Sequence, residues 1–385
     1  MENGVHPPAS EGARAAVLLA ERAVARALDV GPLADAGPHG ANAFGEAVAV
    51  LPPLDVPGRV QRLIERASSG ERVGFVASAA ELLGVTGALG DVVARRLGVV
   101  VHLLEANGVE AALALAQLGW AMLFASSAEE SLDLALVARR AAEDSGTPFF
   151  VVHDAVRGLR EPSLGPLAPA FVEAFVGAAH DRAIASPAEG QRAFAERVPF
   201  ALASALRQLE ALTGRKRDVV HRNASASTAP AADPSLVLVG LGALGDALLG
   251  EVARLRALGH DVGAVKVTAL RPFPGPRLVR LLARALAVTV VESVDEPLAQ
   301  SNALTRELKA GFSDALTWAP DYPGVGRIPR VHACVVRGAA GELASSDVDA
   351  IVHNMLAGDH GKRFFVVGEE RAQGVDQSAR GVVTV

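Results

Sequence analysis

Short apolar strands alternating with amphipathic helices predict an α/β protein built from two parallel-sheet domains. Three observations carry this. RVGFVAS, LGVVVHLL, WAMLFAS and TPFFVVHD are apolar runs of strand length, too short for helices. A long helical segment, SAEESLDLALVARRAAED, lies between the last two, as a crossover between parallel strands requires. HRNASASTAPAADPS then interrupts the alternation with Pro and small residues and no periodicity, after which strands and helices resume.

In chain order, Glu11 to Leu28 carries apolar residues at helical spacing, and Glu46 to Leu51 (EAVAVL) reads as a short strand. Asp55 and Pro57 open a helix that Gly70 stops. The four strands follow, with the helix from Ser127 to Asp144 before the last. Ser126 or Ser127 caps that helix, and Glu129 and Glu130 suit the positive end of its dipole. Leu202 to Thr213 is a further helix. After the interruption, SLVLVGLG reads as a strand, DALLGEVARLRALG as a helix ending at Gly259, and VGAVKVTAL as a strand. RPFPGPRLVRLLARA is a helix, VTVVES and RVHACVVRG are strands, Asp347 to Leu356 is a helix and RFFVVG a strand.

Length and composition bound the function classes. At roughly 150 residues per domain, 385 residues suggest two or three domains. Half the residues are hydrophobic and mean hydropathy is +0.28, which supplies cores and excludes wholesale disorder. A net charge of −6 offers no basic field for nucleic acid, and 4% aromatics offer few stacking platforms for bases. The one cysteine, Cys334, forms no internal disulfide and cannot by itself hold an iron–sulfur cluster. Its solitude fits a reducing compartment. The start lacks a basic leader, Glu21 and Arg22 break its apolar stretch, and no apolar run reaches the ~18 residues of a membrane span. A cytoplasmic, membrane-free protein is expected.

Gly240, Gly242 and Gly245 spell G-x-G-x-x-G between a strand and a helix, the outline of a dinucleotide fingerprint. Such a site also needs an acid closing the next strand, to bind the ribose. Here Thr268 and Ala269 close it, Asp261 stands at its beginning, and Asp246 follows the last glycine, where phosphate would lie. A strand-to-helix turn that tolerates glycine is the preferred reading. A nucleotide-binding oxidoreductase is the alternative.

Two stretches resemble a known family. GWAMLFASSAEESLDLALVARRAAEDSGTPFFVVHDAVRG, with Gly119–Leu123, Ser126 and Ser127, Glu130 and Asp133, Pro148 and Phe149, and Asp154 with Arg157, resembles the first domain of 2-oxoacid:ferredoxin oxidoreductases, the pyruvate enzymes in particular. Ala205 to Asp218 is similar to the segment closing that domain. VLVGLGALGDALLGEVARLRALGHDVGAVKVTALRPFPGPRLVRLL, with Lys266, Val267, Arg271, Pro272 and Phe273, is similar to the family's second domain, which is like the C-terminal domain of transketolase.

The resemblance implies oxidative decarboxylation of a 2-oxoacid on thiamine diphosphate, with electrons passed to ferredoxin and the acyl group to coenzyme A. It implies an alpha-type subunit carrying the pyrimidine side of the thiamine site, at an interface with a beta-type, thiamine-diphosphate-binding partner. Iron–sulfur clusters would sit on a further subunit or on ferredoxin, with none on this chain. The implied layout is a pyrimidine-binding-like domain over 1–220, a linker over 221–234, a transketolase C-terminal-like domain over 235–370 and a flexible tail over 371–385.

Three positions depart from the family pattern. Gly31, beside Pro32, stands where the family places a substrate-binding Thr. Asp55 stands at or near the Glu that activates the pyrimidine. Ala106, preceded by Glu105, replaces an Arg that closes the strand through His102. Asp55 is thus the candidate catalytic and cofactor-binding residue by resemblance, and a helix cap by its own sequence context. Arg157 is the candidate substrate contact by resemblance, and a partner for Asp154 by proximity. The departures imply a weakened or lost active site, and leave open a non-catalytic structural or regulatory subunit on the same scaffold. Glu292 matches an acid of transketolase-like domains, or ends its strand in solvent. His353 and His360 fit no metal template.

Overall fold

Two sheets form the body of the molecule, and the chain passes between them three times. The structure, a computed structural model, describes residues 9–31, 40–105, 108–154, 164–178, 190–223, 233–337 and 343–368. The first part comprises α1 (Ala9–Val24), β1 (Ala27–Asp29), β2 (Ala49–Val50), α2 (Val56–Ser68), β3 (Val73–Ala77), α3 (Ala79–Leu82), α4 (Thr86–Ala94), β4 (Val100–Glu105), α5 (Glu110–Leu115), β5 (Ala121–Ala125), α6 (Ala128–Ser145), β6 (Phe149–Asp154), α7 (Pro169–Val176), α8 (Gln191–Ala195) and α9 (Val198–Thr213). The second comprises β7 (Val220–Arg222), β8 (Leu236–Leu241), α10 (Gly242–Ala257), β9 (Val262–Val267), β10 (Ala269–Arg271), α11 (Gly275–Leu282), β11 (Ala287–Glu292), α12 (Ala303–Leu316), β12 (Arg330–Val336), α13 (Ser345–Leu356) and β13 (Phe364–Val367).

The first sheet runs β10-β5-β6-β4-β3-β1-β2 and the second β13-β12-β11-β8-β9-β7. Within each, all pairings are parallel except the edge strands β10 and β7, which are antiparallel to their neighbours. Those two strands are the exchange. β7 follows the helices of the first sheet but pairs with β9 of the second, while β10 follows β9 but pairs with β5 of the first. Thr268 is the crossing point. Its amide donates to Val219 O at 2.9 Å, and its carbonyl accepts from Phe124 N–H at 2.8 Å.

Three expectations change. The helix expected to reach Leu28 ends at Val24, and Ala27–Asp29 leaves it to pair with β3 as a strand. VGAVKVTAL is two strands, because its halves belong to different sheets. His221 and Arg222, expected in the linker, are strand residues because the free edge of β9 pairs their backbone; 224–232 and the tail lie outside the described residues. The helices α3, α4, α5, α7, α8 and α12 fall in stretches where the sequence pattern above marks no element.

Burial follows from layer position. The strands β3, β5 and β11 are buried at every residue, as strands covered on both faces must be. The helix α6 is buried on nearly all sides, since it lies between the first sheet and the helices α1 and α9. Ser127 caps it by accepting the Glu130 amide at 3.2 Å, and Gly146, at φ +64°, ends it.

Candidate functional site

The carboxyl edge of the first sheet, where the second part docks, gathers the chemically active side chains, as open α/β sheets tend to do. Its centre is Lys266 of β9, 3% exposed. The ammonium donates to Ser126 Oγ at 2.8 Å, Glu130 Oε2 at 2.8 Å and Asp246 Oδ2 at 2.7 Å. Burial alone would raise the Glu130 pKa, but the Lys266 ammonium and the Ser126 donors outweigh it and hold the carboxyl below its usual value. Ser126 bonds to both acids as well and is 3% exposed, so its hydroxyl is tied into this packing.

The glycine-rich turn serves this packing. A Cβ on Gly245 would lie 2.7 Å from Lys266 Cβ and Cγ, and one on Gly240 would lie 2.8 Å from the Gly245 nitrogen. Gly242, at φ +51°, faces Phe124 and Asp154. The Asp154 carboxylate accepts the Ala243 amide hydrogen at the start of α10. A side chain from the first sheet therefore takes the anion position that a pyrophosphate would need. Burial, with a contribution from Glu110, pushes the Asp154 carboxyl up from 3.8 to about 6, against the Ala243 hydrogen bond and the Lys266 charge.

Glu105 ends β4 and accepts the Ala79 amide hydrogen at 2.7 Å, at the start of α3. Burial raises its pKa against that hydrogen bond, and Asp154, Glu110 and Glu81 raise it further. The strand end that the resemblance pairs with a cation is thus acidic. Glu292, 7% exposed, accepts Leu304 N–H at 2.7 Å and the Thr305 hydroxyl at 2.6 Å, and burial raises its pKa. It anchors the start of α12 and does not face solvent. Between Asp154 and Glu292 lies a cavity of about 20 Å³, also lined by Phe124, Leu241 and Leu244, with room for one water.

Asp55 is exposed at the N-cap of α2, where its Oδ1 accepts the Gly58 amide hydrogen at 3.0 Å. One turn on, Arg59 is 1% exposed. Its Nε donates to Asp29 Oδ1 at 2.7 Å and its Nη2 to Val76 O, while its guanidinium lies 4.6 Å from the Phe75 ring centre. Arg62 bonds the other oxygen of Asp29 and donates to Pro52 O at 2.8 Å. Gly31, at φ +58°, lies under Arg59. A Cβ there would be 2.7 Å from Arg59 Nη1 and 2.9 Å from Cζ. The hydroxyl-bearing residue that the resemblance expects at 31 is sterically incompatible with Arg59 in this position.

Arg157 lies outside the described residues, and Asp154, its expected partner, is bonded to the Ala243 amide. His353 and His360 are exposed, and among the described residues no three metal-ligating side chains cluster. Cys334 is buried and pushed up to about 12, hence inert. Sequence reasoning missed Arg59, and it marked Lys266 only as a motif residue without its contacts, because the partners of both are distant in the chain. It also missed a buried chain of polar groups in which Ser131 Oγ, His153, His102 and Glu21 bond in series at 2.9, 3.1 and 2.9 Å. Burial keeps His153 well below its ordinary pKa and so neutral. Arg139 backs Glu21 at 2.8 Å.

Residues 83–186 match the family model described as pyruvate flavodoxin/ferredoxin oxidoreductase, thiamine diphosphate-binding, and residues 234–326 match pyruvate:ferredoxin oxidoreductase core domain II. Over 231 residues the chain is 27% identical to a pyruvate:ferredoxin oxidoreductase of Moorella thermoacetica, covering 51% of this chain and 18% of that protein. Over 201 residues it is 25% identical to pyruvate synthase subunit PorA of Pyrococcus furiosus, covering 45% of this chain and 48% of that subunit. The chain therefore spans less than a fifth of the first relative and about half of the second. A 2-oxoglutarate:ferredoxin oxidoreductase from Magnetococcus marinus superimposes with a TM-score of 0.58 at 13% identity, over 89% of this chain and 64% of that one. A split-gene transketolase, described as an inactive beta4 tetramer, superimposes with a TM-score of 0.53 at 14% identity, over 91% and 98%. These superpositions agree on the fold. Among the described residues, no helix is long and apolar enough to cross a membrane.

Proposed function

From the premise that the chain belongs to the 2-oxoacid:ferredoxin oxidoreductase family, we propose that it is an alpha-type subunit whose own active-site groups are weakened or lost. It would work beside a beta-type, thiamine-diphosphate-binding subunit and an iron–sulfur partner in the cytoplasm, in oxidative decarboxylation of a pyruvate-like 2-oxoacid. The observation that carries the proposal is the corner at Gly31. The scaffold is retained around it, but Arg59 fills the place of the expected hydroxyl.

The residues on this chain do not fit the pyrimidine half of a thiamine site as the resemblance describes it. The candidate carboxylate, Asp55, is short, exposed and already bonded to the Gly58 amide. The end of β4 carries Glu105, whose charge opposes an approaching 2-oxoacid carboxylate. What the chain's own groups do is hold the two sheets together. Lys266 joins β9 to α6 and α10, and Asp154 joins β6 to the start of α10. A non-catalytic subunit on this scaffold is the second reading, favoured by the same Gly31 corner.

The test is anaerobic recovery of the tagged chain from its native cells, followed by assay for thiamine diphosphate, iron and 2-oxoacid-dependent viologen reduction. Recovery of all three with partner chains supports the subunit reading. Asp55→Ala is then expected to leave turnover nearly unchanged, and a large loss of rate would restore Asp55 to catalysis. Recovery of the chain alone, without thiamine or iron, refutes the assembled-enzyme reading.

A further inference from the structure

We propose that the cleft at the amino edge of the first sheet binds a small anion that carries a phosphate chain. The cleft holds about 1110 Å³ and lies where α2, α4 and α6 end and the chain turns toward β3, β4 and β6. Small-molecule sites commonly occupy roughly 300–1,000 Å³, so there is room for such a ligand. The charge of its walls carries the proposal. Five arginines line it against three acids, in a chain whose net charge is −6. Each of those acids is already held by an arginine. Glu143 accepts Arg72 Nε and Nη2, both at 2.8 Å, and Glu71 accepts Arg66 Nη1 at 2.7 and 2.8 Å. Asp144 accepts Arg140 Nε at 3.4 Å.

Arg95 is the donor left over. It is exposed at the end of α4, and among the described residues its guanidinium has no hydrogen bond or ion pair. Arg96 and Arg197 place their guanidiniums 4.5 and 4.9 Å from the Phe194 ring centre, and that stacking fixes their planes. Arg96 adopts φ +58°, a conformation that favours glycine, so an arginine there carries a backbone cost. The carboxyl ends of three helices meet here, but turn amides take carbonyls at each. Gly70 N–H bonds Ala67 O, Leu97 N–H bonds Val92 O, and Gly146 N–H bonds Ala142 O. Surplus guanidiniums beside acids already occupied favour an anion over a cation. A surplus of more than one charge favours a phosphate chain over a single carboxylate. The cleft needs neither thiamine nor a partner chain, so its failure leaves the subunit proposal where it stands.

The test uses the full chain alone. Binding of inorganic tripolyphosphate, without divalent metal, is measured by calorimetric titration, with sodium acetate at equal ionic strength as the comparison. Tripolyphosphate is expected to bind and acetate is not. Arg95→Gln should weaken tripolyphosphate binding about tenfold or more, and Arg95→Lys should retain part of it. Arg284→Gln removes the same charge from a side chain 83% exposed on the second part, and should leave binding unchanged. Hydrogen exchange on the unsubstituted chain supplies a readout independent of any variant: tripolyphosphate should slow exchange at 95–98 and 143–147. The proposal is overturned by no binding at millimolar tripolyphosphate, by acetate binding as tightly, by equal weakening in Arg95→Gln and Arg284→Gln, or by protection confined to other segments.

Discussion

Asp154→Asn should stabilise the protein at neutral pH and do nothing at low pH. Asp154 titrates near 6 in the folded chain against 3.8 in the unfolded one, chiefly because burial disfavours its charge. A raised carboxyl pKa means that the folded state holds its proton after the unfolded state has lost it. Stability from this group is full below pH 3.8, falls as pH rises through the interval, and is gone above about 6. At 1.36 kcal/mol per pKa unit the interval sets a ceiling of about 3 kcal/mol, and solvent at the partly exposed carboxylate brings the expected value to about 1–2 kcal/mol. The amide oxygen of Asn can still accept the Ala243 N–H. Paired thermal melts at pH 7.5 and pH 4 test this. The variant should melt higher at pH 7.5, with the gap closing toward pH 4. An Asn variant less stable than the parent at pH 7.5, or a gap that ignores pH, would refute burial as the cause.

Lys266→Met should cost about 3–5 kcal/mol, because it strands the buried Glu130 without its cation. Adding Glu130→Gln should recover most of that loss, as denaturant melts of the single and double variants would show. Gly31→Ala should cost at least about 2 kcal/mol, combining a Cβ at φ +58° with displacement of Arg59 from Asp29. Arg59→Ala in the same chain should relieve the steric part of the Gly31→Ala penalty, read as non-additivity in a double-mutant cycle.

The strands were legible because each is a short apolar run in a layer covered on both faces, a local property of sequence. The exchange of β7 and β10 was not. VGAVKVTAL gives no local sign that its backbone hydrogen bonds turn to another sheet at Thr268, because the choice is made by Val219 and Phe124, each dozens of residues or more away. The helix α1 stops short of its apolar pattern for a related reason. Apolar residues continue at helical spacing through Leu28, but pairing of Ala27–Asp29 with β3 outweighs helical propensity there.

The same division runs through the candidate site. Asp55 was legible as a cap, since a cap is a contact over three residues. The glycine-rich turn was legible only as a set of small residues that an anion or a packed side chain would both require. Three contacts then decide between those uses. Lys266 passes over Gly245, the Gly245 amide approaches Gly240, and Asp154 occupies the amide end of α10. A dinucleotide would have to displace Asp154 and bring its phosphates beside Asp246, whose carboxylate is held by Lys266. Electrostatic repulsion and the lost Ala243 hydrogen bond act in the same direction. The glycines of this turn are therefore accounted for by the joining of two sheets, and they carry no requirement for a nucleotide.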